Sequence, residues 1–414
     1  MARRLKGFAV SWFFAPYLGS ADLDFFKRLK ECDIHFDVAQ VKRDQRDERV
    51  LRHVGAATFN RVEVETDHVH PRTRRTRDDF QAAAIRHFKE HRESYDFIVS
   101  HSNEVPSHAV ALECKRLAPR LPWVAYFGDV VASNPYVKLM SSYPLHDEDI
   151  VTEARTLEHA DVVICNNDYQ RRLMFTGPFE RYASKAVVVP HCFDPAFFPK
   201  SELAKRDRYT IMHVGTLYSV RRTAAPVLKA VDRLLEIYPQ YANRFELLFY
   251  GGGYAGSDYE AHGAMLHRGH VRLEGSVPYL DSLRLMRSAD LLLNIDGVFD
   301  KAIDGLEFNP FFPGKLTDYM GAGKPITSVT MAEGPTADIL RESGNLIADT
   351  RPDRIAYVLK RYLDGKVQHH GRSFDRFHVS RVGREMEAVF VAAVSGSDGV
   401  MGLPHRLEHL RRAS

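Results

Sequence analysis

Short, continuous apolar runs alternate with amphipathic stretches along the first half of the chain. Residues 8–14 read as a strand and residues 23–29 as a helix, joined through the Tyr17-Leu-Gly-Ser turn. Tyr95-Asp-Phe-Ile-Val-Ser and Trp123-Val-Ala-Tyr-Phe are buried-strand runs, and Asp161-Val-Val-Ile-Cys and Lys185-Ala-Val-Val-Val-Pro follow. Between them, residues 79–90 and 148–159 carry the helical period. Strands alternating with helices predict a parallel sheet covered on both faces. Pro190, Pro195 and Pro199, followed by charges up to Lys205, predict a linker.

The rhythm then restarts. Thr210-Ile-Met-His-Val is a strand ending at Gly215, and a helix over residues 223–238 puts Val227, Leu228, Val231, Leu234, Leu235 and Tyr238 on one face. Further strands are expected at 245–250, 271–274, 291–295 and 326–329. The fold class is therefore α/β: two Rossmann-like units facing a central cleft, with a ligand at the carboxyl ends of the strands. The expected domains are residues 1–200 and 201–372, then a helix over 373–394 and a flexible basic tail over 395–414.

Composition narrows the class. With 414 residues, 44% of them hydrophobic and 27% charged, the chain has material for sizeable cores, which excludes disorder as the main theme. The net charge of +3 comes from interspersed acids and bases, so there is no broad footprint for nucleic acid. No apolar run approaches the roughly 20 residues of a membrane span. The cysteines Cys32, Cys114, Cys165 and Cys192 lack zinc-ligand spacing and read as reduced thiols of a cytoplasmic protein. The basic-then-apolar start has the look of a signal peptide. Ser11 and Pro16 interrupt it and Asp22 and Asp24 follow, so a first strand is the better reading.

The densest chemistry lies in Phe311-Phe-Pro-Gly-Lys-Leu-Thr-Asp-Tyr-Met-Gly-Ala-Gly-Lys-Pro-Ile. A short helix from Lys315 presents unpaired N–H groups at its start, where a phosphate fits and the Lys315 charge adds to the attraction. Asp318, one turn on, suits a ribose diol. A plain loop–helix–strand connection with a solvated lysine is the other reading. In Gly215-Thr216-Leu-Tyr-Ser-Val-Arg221-Arg222, the strand ends on a glycine that admits a ligand to the backbone. The two guanidiniums oppose the following helix dipole, and an anion rationalises them as well as surface exposure does. Gly251-Gly-Gly253-Tyr-Ala-Gly256 matches a dinucleotide fingerprint, with Glu274 lying 23 residues beyond Gly251. It follows a second strand rather than a first, which suits a tight loop near a nucleotide better than a nicotinamide site.

In the first half, Gly19 and Ser20 precede a helix, and His101 and Asp129 sit at strand ends as site or turn residues. Asp22-Leu-Asp24 and Asp147-Glu-Asp149 have the metal-holding DxD pattern, but at helix starts where acids belong anyway. Arg72, Arg74, Arg75 and Arg77 form a basic run that reads either as a solvated loop or as a peripheral contact with anionic lipid.

Together these segments resemble the GT-B glycosyltransferases, closest to the retaining family 4 group. Leu121-Pro-Trp-Val-Ala-Tyr-Phe-Gly-Asp, Glu153 with Ala160-Asp161-Val-Val-Ile, and Val189-Pro-His-Cys-Phe-Asp194-Pro carry the resemblance in the first half. His213-Val-Gly-Thr-Leu with Arg221-Arg222, and the segment around Lys315, carry it in the second. The resemblance implies transfer of a sugar from a UDP- or GDP-linked donor, without a metal or other cofactor, to a saccharide or lipid-linked acceptor. The setting it implies is cell-surface polysaccharide or glycoconjugate synthesis, in the cytoplasm or at the inner membrane face.

By position, Gly19, Ser20, Gly215, Thr216, Arg221, Arg222, Gly251, Val277, Gly314, Lys315, Leu316 and Asp318 would surround the donor. Asp129, His101, Arg222 and Lys315 would serve catalysis. The family's usual first glutamate falls at Pro310, with Glu307 or Asn309 as substitutes, and its Asn-Gly falls at His191-Cys192. A nicotinamide oxidoreductase, a non-catalytic GT-B protein and a nucleotide-sugar epimerase are the alternatives.

Overall fold

The computed structural model describes residues 3–16, 20–42, 49–50, 59–65, 74–102, 104–139, 147–200, 206–218 and 220–412. The chain divides into two compact units, one formed by Met1–Cys192 with Val379–Ser414 and the other by Phe193–His378.

The first unit runs β1 (Lys6–Ser11), α1 (Ser20–Leu29), β2 (His35–Val41), β3 (Phe59–Val64), α2 (Arg74–His91), β4 (Phe97–Ser102) and α3 (Pro106–Leu117). It continues through β5 (Trp123–Phe127), α4 (Pro135–Leu139), α5 (Asp147–His159), β6 (Val162–Cys165), α6 (Asp168–Met174) and β7 (Ala186–Val188). The sheet order is β3-β2-β1-β4-β5-β6-β7, and every pairing is parallel. All residues of β4 and β5 are buried. Helices on both faces of a parallel sheet leave no wet side, which is why these strands read as unbroken apolar runs.

The second unit repeats the plan with β8 (Tyr209–Val214), α7 (Ala225–Ile237), β9 (Phe245–Tyr250), α8 (Gly256–Gly263), β10 (Val271–Glu274), α9 (Tyr279–Ser288) and β11 (Leu291–Ile295). Then come α10 (Lys301–Asp304), α11 (Gly314–Ala322), β12 (Ile326–Val329), α12 (Pro335–Glu342), β13 (Ile347–Ala348) and α13 (Pro352–Leu363). Its sheet order is β10-β9-β8-β11-β12-β13, again wholly parallel. The expected apolar face of α7 packs Val227, Leu228, Val231, Leu234 and Leu235 with Ile355, Leu359 and Leu363 of α13 over the sheet. In both units the strand order reverses beside the first strand, between β1 and β4 and between β8 and β11. Loops diverge at such a point and leave a crevice at the carboxyl ends of the strands.

The chain finishes with α14 (Val379–Val394) and α15 (Ser397–Arg412), both part of the first unit. The flexible tail expected from residue 395 is thus corrected to a helix. Leu403 and Leu407 are 0% and 3% exposed, one turn apart, and Arg411 bonds to Glu385 at 2.8 Å. Gly399 permits the packing, since a Cβ there would lie 2.4 Å from the Ala392 carbonyl oxygen.

Candidate functional site

The reversal point of the second unit brings Lys315, Arg222 and His213 together. β8 ends at Val214, and Gly215 follows with φ 151°, a left-handed backbone that favours glycine. A Cβ on Gly215 would lie 2.8 Å from Lys315 Cδ, so the lysine stem occupies the space a side chain would take. Lys315 is the second residue of α11, whose start has no side-chain cap. Among the described residues the Lys315 Nζ is buried without a hydrogen-bond partner, although the residue as a whole is half-buried. The Nε of Arg222 and the Nε2 of His213 are in the same condition. Arg222 lies over the Tyr218 ring at 5.0 Å, and His213 Nδ1 is 3.0 Å from the Leu293 carbonyl.

Burial holds the Lys315 ammonium well below the ordinary lysine value; the Arg222 charge adds to the depression and Asp296 opposes it. Burial, then Lys315 and Arg222, hold His213 well below the histidine range. Asp296 also accepts from Asn294 Nδ2 at 2.9 Å and Thr330 Oγ1 at 3.1 Å. Among the described residues Asp296 gives the Lys315 ammonium no hydrogen bond, and a buried charge without a bonded partner costs several kcal/mol. The Tyr319 hydroxyl accepts from the Val214 N–H at 2.8 Å, which pins α11 against the end of β8. What this arrangement can do chemically is take up an anion.

The remaining sequence-derived candidates sort by their surroundings. Gly314 starts α11, Thr216 is exposed beside Gly215, and Val277 is half-buried between β10 and α9. Asp318 is 2% exposed and accepts from the Tyr279 hydroxyl at 2.8 Å. Arg221 has φ 60° and its guanidinium pairs with Asp304 at 2.9 Å, whereas Arg222 acts on Lys315. The Leu316 side chain is fully buried, and its N–H bonds to Pro313 O at 2.9 Å. Neither substitute for the missing glutamate is free. Glu307 is exposed and pairs with Lys301. Asn309 donates to Gly297 O at 3.1 Å and accepts from the Phe311 N–H at 2.9 Å.

Gly251 and Gly253 have φ values of 142° and 79°. Side chains there would meet Gly215 O at 2.2 Å and Leu217 O at 1.9 Å. These two glycines therefore let the loops after β8 and β9 lie against each other.

The reversal point of the first unit carries a network that sequence reasoning missed. Asp24 and Arg28 of α1 pair at 2.8 Å, and His191 Nδ1 lies 2.9 Å from Asp24 and 2.8 Å from Arg28. The His191 Nε2 lies 3.1 Å from Asn166 Nδ2. Burial works to raise the Asp24 carboxyl, but the Arg28 charge and the contacts with His191 outweigh it and hold it well below the carboxylate range. His101 is 0% exposed, stacked between Phe25 and Tyr126, with Nδ1 3.1 Å from Ser11 Oγ across the β1–β4 reversal. Burial pushes its pKa down to about 3, so it is a neutral imidazole. Asp129 is exposed just past β5. Gly19 lies outside the described residues, and Ser20 is the first residue of α1. The one sequence signal for this network was His191 standing where the resemblance expects asparagine.

The basic run is corrected as well. It starts α2 instead of forming a loop, and Arg77 is 6% exposed and bonded to Asp149, with one oxygen at 3.2 Å. Arg74 pairs with Glu148 at 2.9 Å, Arg75 lies 3.9 Å from Asp79, and Arg72 falls outside the described residues. The DxD carboxylates Asp24 and Asp149 are thus both held by arginines. Among the described residues no helix is long and apolar enough to cross a membrane. A groove of about 800 Å³ between α2, α3 and α5, lined by Lys89, Leu112 and Arg155 among others, contains none of the candidates.

Two units built on the same order of parallel strands define the GT-B fold, and the chain has it. Solved structures similar to the chain include HepE of Anabaena in complex with UDP, at TM-score 0.64 and 14% identity over 92% of this chain and 98% of that one. A glycosyltransferase of Rickettsia africae matches at TM-score 0.64 and 10% identity over 95% and 100%. A UDP-N-acetylglucosamine 2-epimerase matches at TM-score 0.55 and 12% identity over 93% and 95%. No family model matches the sequence, and no curated protein matches it.

Proposed function

We propose that this protein transfers a sugar from a UDP- or GDP-linked donor to a saccharide or lipid-linked acceptor, as a retaining, metal-independent enzyme of the family 4 kind. The observation that carries the reading is the Lys315 ammonium, buried without a hydrogen-bond partner beside Arg222 at the start of α11. A pyrophosphate supplies the missing negative charge there.

The mechanism follows from where charge develops. Cleavage of the bond to the sugar leaves a nucleoside diphosphate of growing negative charge and an oxocarbenium-like sugar. Lys315, Arg222 and the N–H groups at the head of α11 are already in place to receive that charge, and losing one such donor costs on the order of 10²–10³ in turnover. In a front-face reaction the departing phosphate oxygen takes the acceptor proton, so retention needs no further base. The second unit then serves the donor and the first the acceptor. His101, being neutral, acts there as a hydrogen-bonding group, and Asp129 acts as an exposed carboxylate. Work in cell-surface glycoconjugate synthesis at the inner membrane face completes the reading, with Arg74 and Arg75 as the exposed basic residues for lipid contact.

Thermal shift with UDP, GDP and NAD in excess EDTA tests it. A ligand at 100 times its dissociation constant adds about 2.7 kcal/mol, and a rise with UDP or GDP alone is the expected result. A rise with NAD alone, or no rise, refutes it. The similarity in fold to a 2-epimerase supports a second reading, separated by product: an epimerase inverts one carbon of the sugar, with water needed if the sugar is also freed from the diphosphate, whereas a transferase makes a glycoside.

A further inference from the structure

Of the two cations in the cluster, only the lysine can give up its charge. A guanidinium stays protonated inside a protein, whereas a lysine loses its proton readily where burial and a like charge oppose it. Both conditions hold at Lys315. Among the described residues its Nζ is buried with no hydrogen-bond partner, and Arg222, in the segment after β8, presses a second charge on it. His213 of β8 is a further titratable neighbour. Its Nδ1 lies 3.0 Å from the Leu293 carbonyl, which only accepts, so that nitrogen carries the hydrogen and the buried Nε2 is left as a lone pair. Asp296, just past β11, is the opposing charge, and its oxygens accept from Asn294 and Thr330. On α11 itself Asp318 accepts from the Tyr279 hydroxyl, and the Tyr319 hydroxyl accepts from the Val214 N–H. The lysine therefore sits among groups whose hydrogen bonds are made elsewhere.

Resting on the nucleotide reading above, we propose that the diphosphate binds together with one proton, which the Lys315 amine takes from solvent to become an ammonium against the phosphate oxygens. The anion supplies the hydrogen-bond acceptors that the free site lacks. Each partner then favours the other to the same degree: the proton strengthens the hold on the diphosphate, and the diphosphate holds the proton. In the free protein burial and Arg222 keep Lys315 well below its ordinary 10.5. Between that depressed value and the value in the complex, the free protein lacks a proton that the complex carries. Nucleotide affinity therefore falls as pH rises through this range, by up to about tenfold per pH unit, and is level below it. Departure of the diphosphate returns the proton to solvent. A permanently charged side chain at position 315 would bind the anion without this coupling.

The test is calorimetric titration with UDP and GDP at about pH 7.5–8.5, where a terminal phosphate is already ionised. Buffers of small and large ionisation heat count the protons exchanged. Wild type is expected to take up about one proton per nucleotide bound. Lys315→Arg, whose charge is fixed, and Lys315→Met, which carries none, are expected to take up none. A lysine Cε NMR titration adds a direct reading, with the Lys315 resonance assigned from its loss in either variant. Its midpoint is expected below 10.5 in the free protein and is expected to rise when UDP or GDP is added. Binding without proton uptake overturns the inference and leaves the nucleotide reading standing. Uptake that persists in both variants also overturns it, since the proton then goes to His213 or elsewhere. So does a Lys315 midpoint near 10.5 in the free protein, or one that the nucleotide does not move. A wild type that binds neither UDP nor GDP overturns the nucleotide reading itself, which separates that failure from the others.

Discussion

Replacing Lys315 by methionine removes one charge while keeping the length of the stem that lies across Gly215. Two effects of opposite sign follow. In the free protein the ammonium is buried without a hydrogen-bond partner among the described residues, next to a second cation. Its loss removes a penalty, so the free variant is more stable than wild type. If a nucleotide binds as proposed, the same ammonium donates to phosphate, and loss of a hydrogen bond to a charged group costs about 1.5–3 kcal/mol, or roughly 10–100-fold in affinity. Urea unfolding with and without saturating UDP or GDP reads both numbers. A pH series adds the sign. The folded Lys315 value lies below its ordinary 10.5, so between the two the unfolded chain holds a proton that the folded chain lacks. The free wild type therefore gains stability as pH rises toward 10.5 and loses it as pH falls, and the variant lacks this slope. A variant that is less stable without ligand and binds nucleotide as well as wild type refutes the argument.

Three further outcomes are expected. Gly253→Ala puts a Cβ 1.9 Å from Leu217 O at φ 79° and should cost at least about 1–3 kcal/mol in urea unfolding, while Gly256→Ala, with open space around it, should be near neutral. Equal losses at both positions would tie the motif to something other than loop packing. Asp149→Leu leaves Arg77 buried without its carboxylate and should cost about 3–5 kcal/mol, much of it regained in the Arg77→Met, Asp149→Leu double variant; an unrecovered double variant would contradict the pairing. Burial pushes both His101 and His108 down to about 3, so between 6.5 and that value the unfolded chain alone takes up their protons and stability falls as pH falls. Their imidazole resonances should not shift in an NMR titration above about pH 4, and a midpoint near 6.5 for both would refute the burial argument.

The sheets and their covering helices were legible because parallel strands buried on both faces, such as Leu291-Leu-Leu-Asn-Ile, have a local signature. Lys315 was legible too, since charge at the head of a short helix after a glycine is a local pattern. What stayed hidden was made by distant pairs. Arg221 looks like Arg222 until Asp304, 83 residues away, closes on it. Arg77 looked solvent-facing within a basic run until Asp149, 72 residues on, buried it. Asp24 and His191 are 167 residues apart, and nothing near either announces the other. The last helix escaped because Gly402 and Pro404 interrupt the stripe of Leu403 and Leu407, whose burial comes from packing on α14 and not from propensity.

The two reversal points share a topology and differ in electrostatics, and the proposed anion site rests on that difference. In the first unit Arg28 is fully buried but bonded to Asp24 through both its carboxylate and its carbonyl, at 2.8 Å each. His101 beside them is neutral, so that point holds charges already matched within the chain. In the second unit Asp296 acts on Lys315, and its oxygens already serve Asn294 and Thr330. A diphosphate entering the first site would gain little and would compete with Asp24. Entering the second, it would turn a destabilising cluster into a satisfied one. The first crevice thus holds an internally paired Asp24 and Arg28, and the second, at Lys315 and Arg222, is the one whose charge the proposed diphosphate would balance.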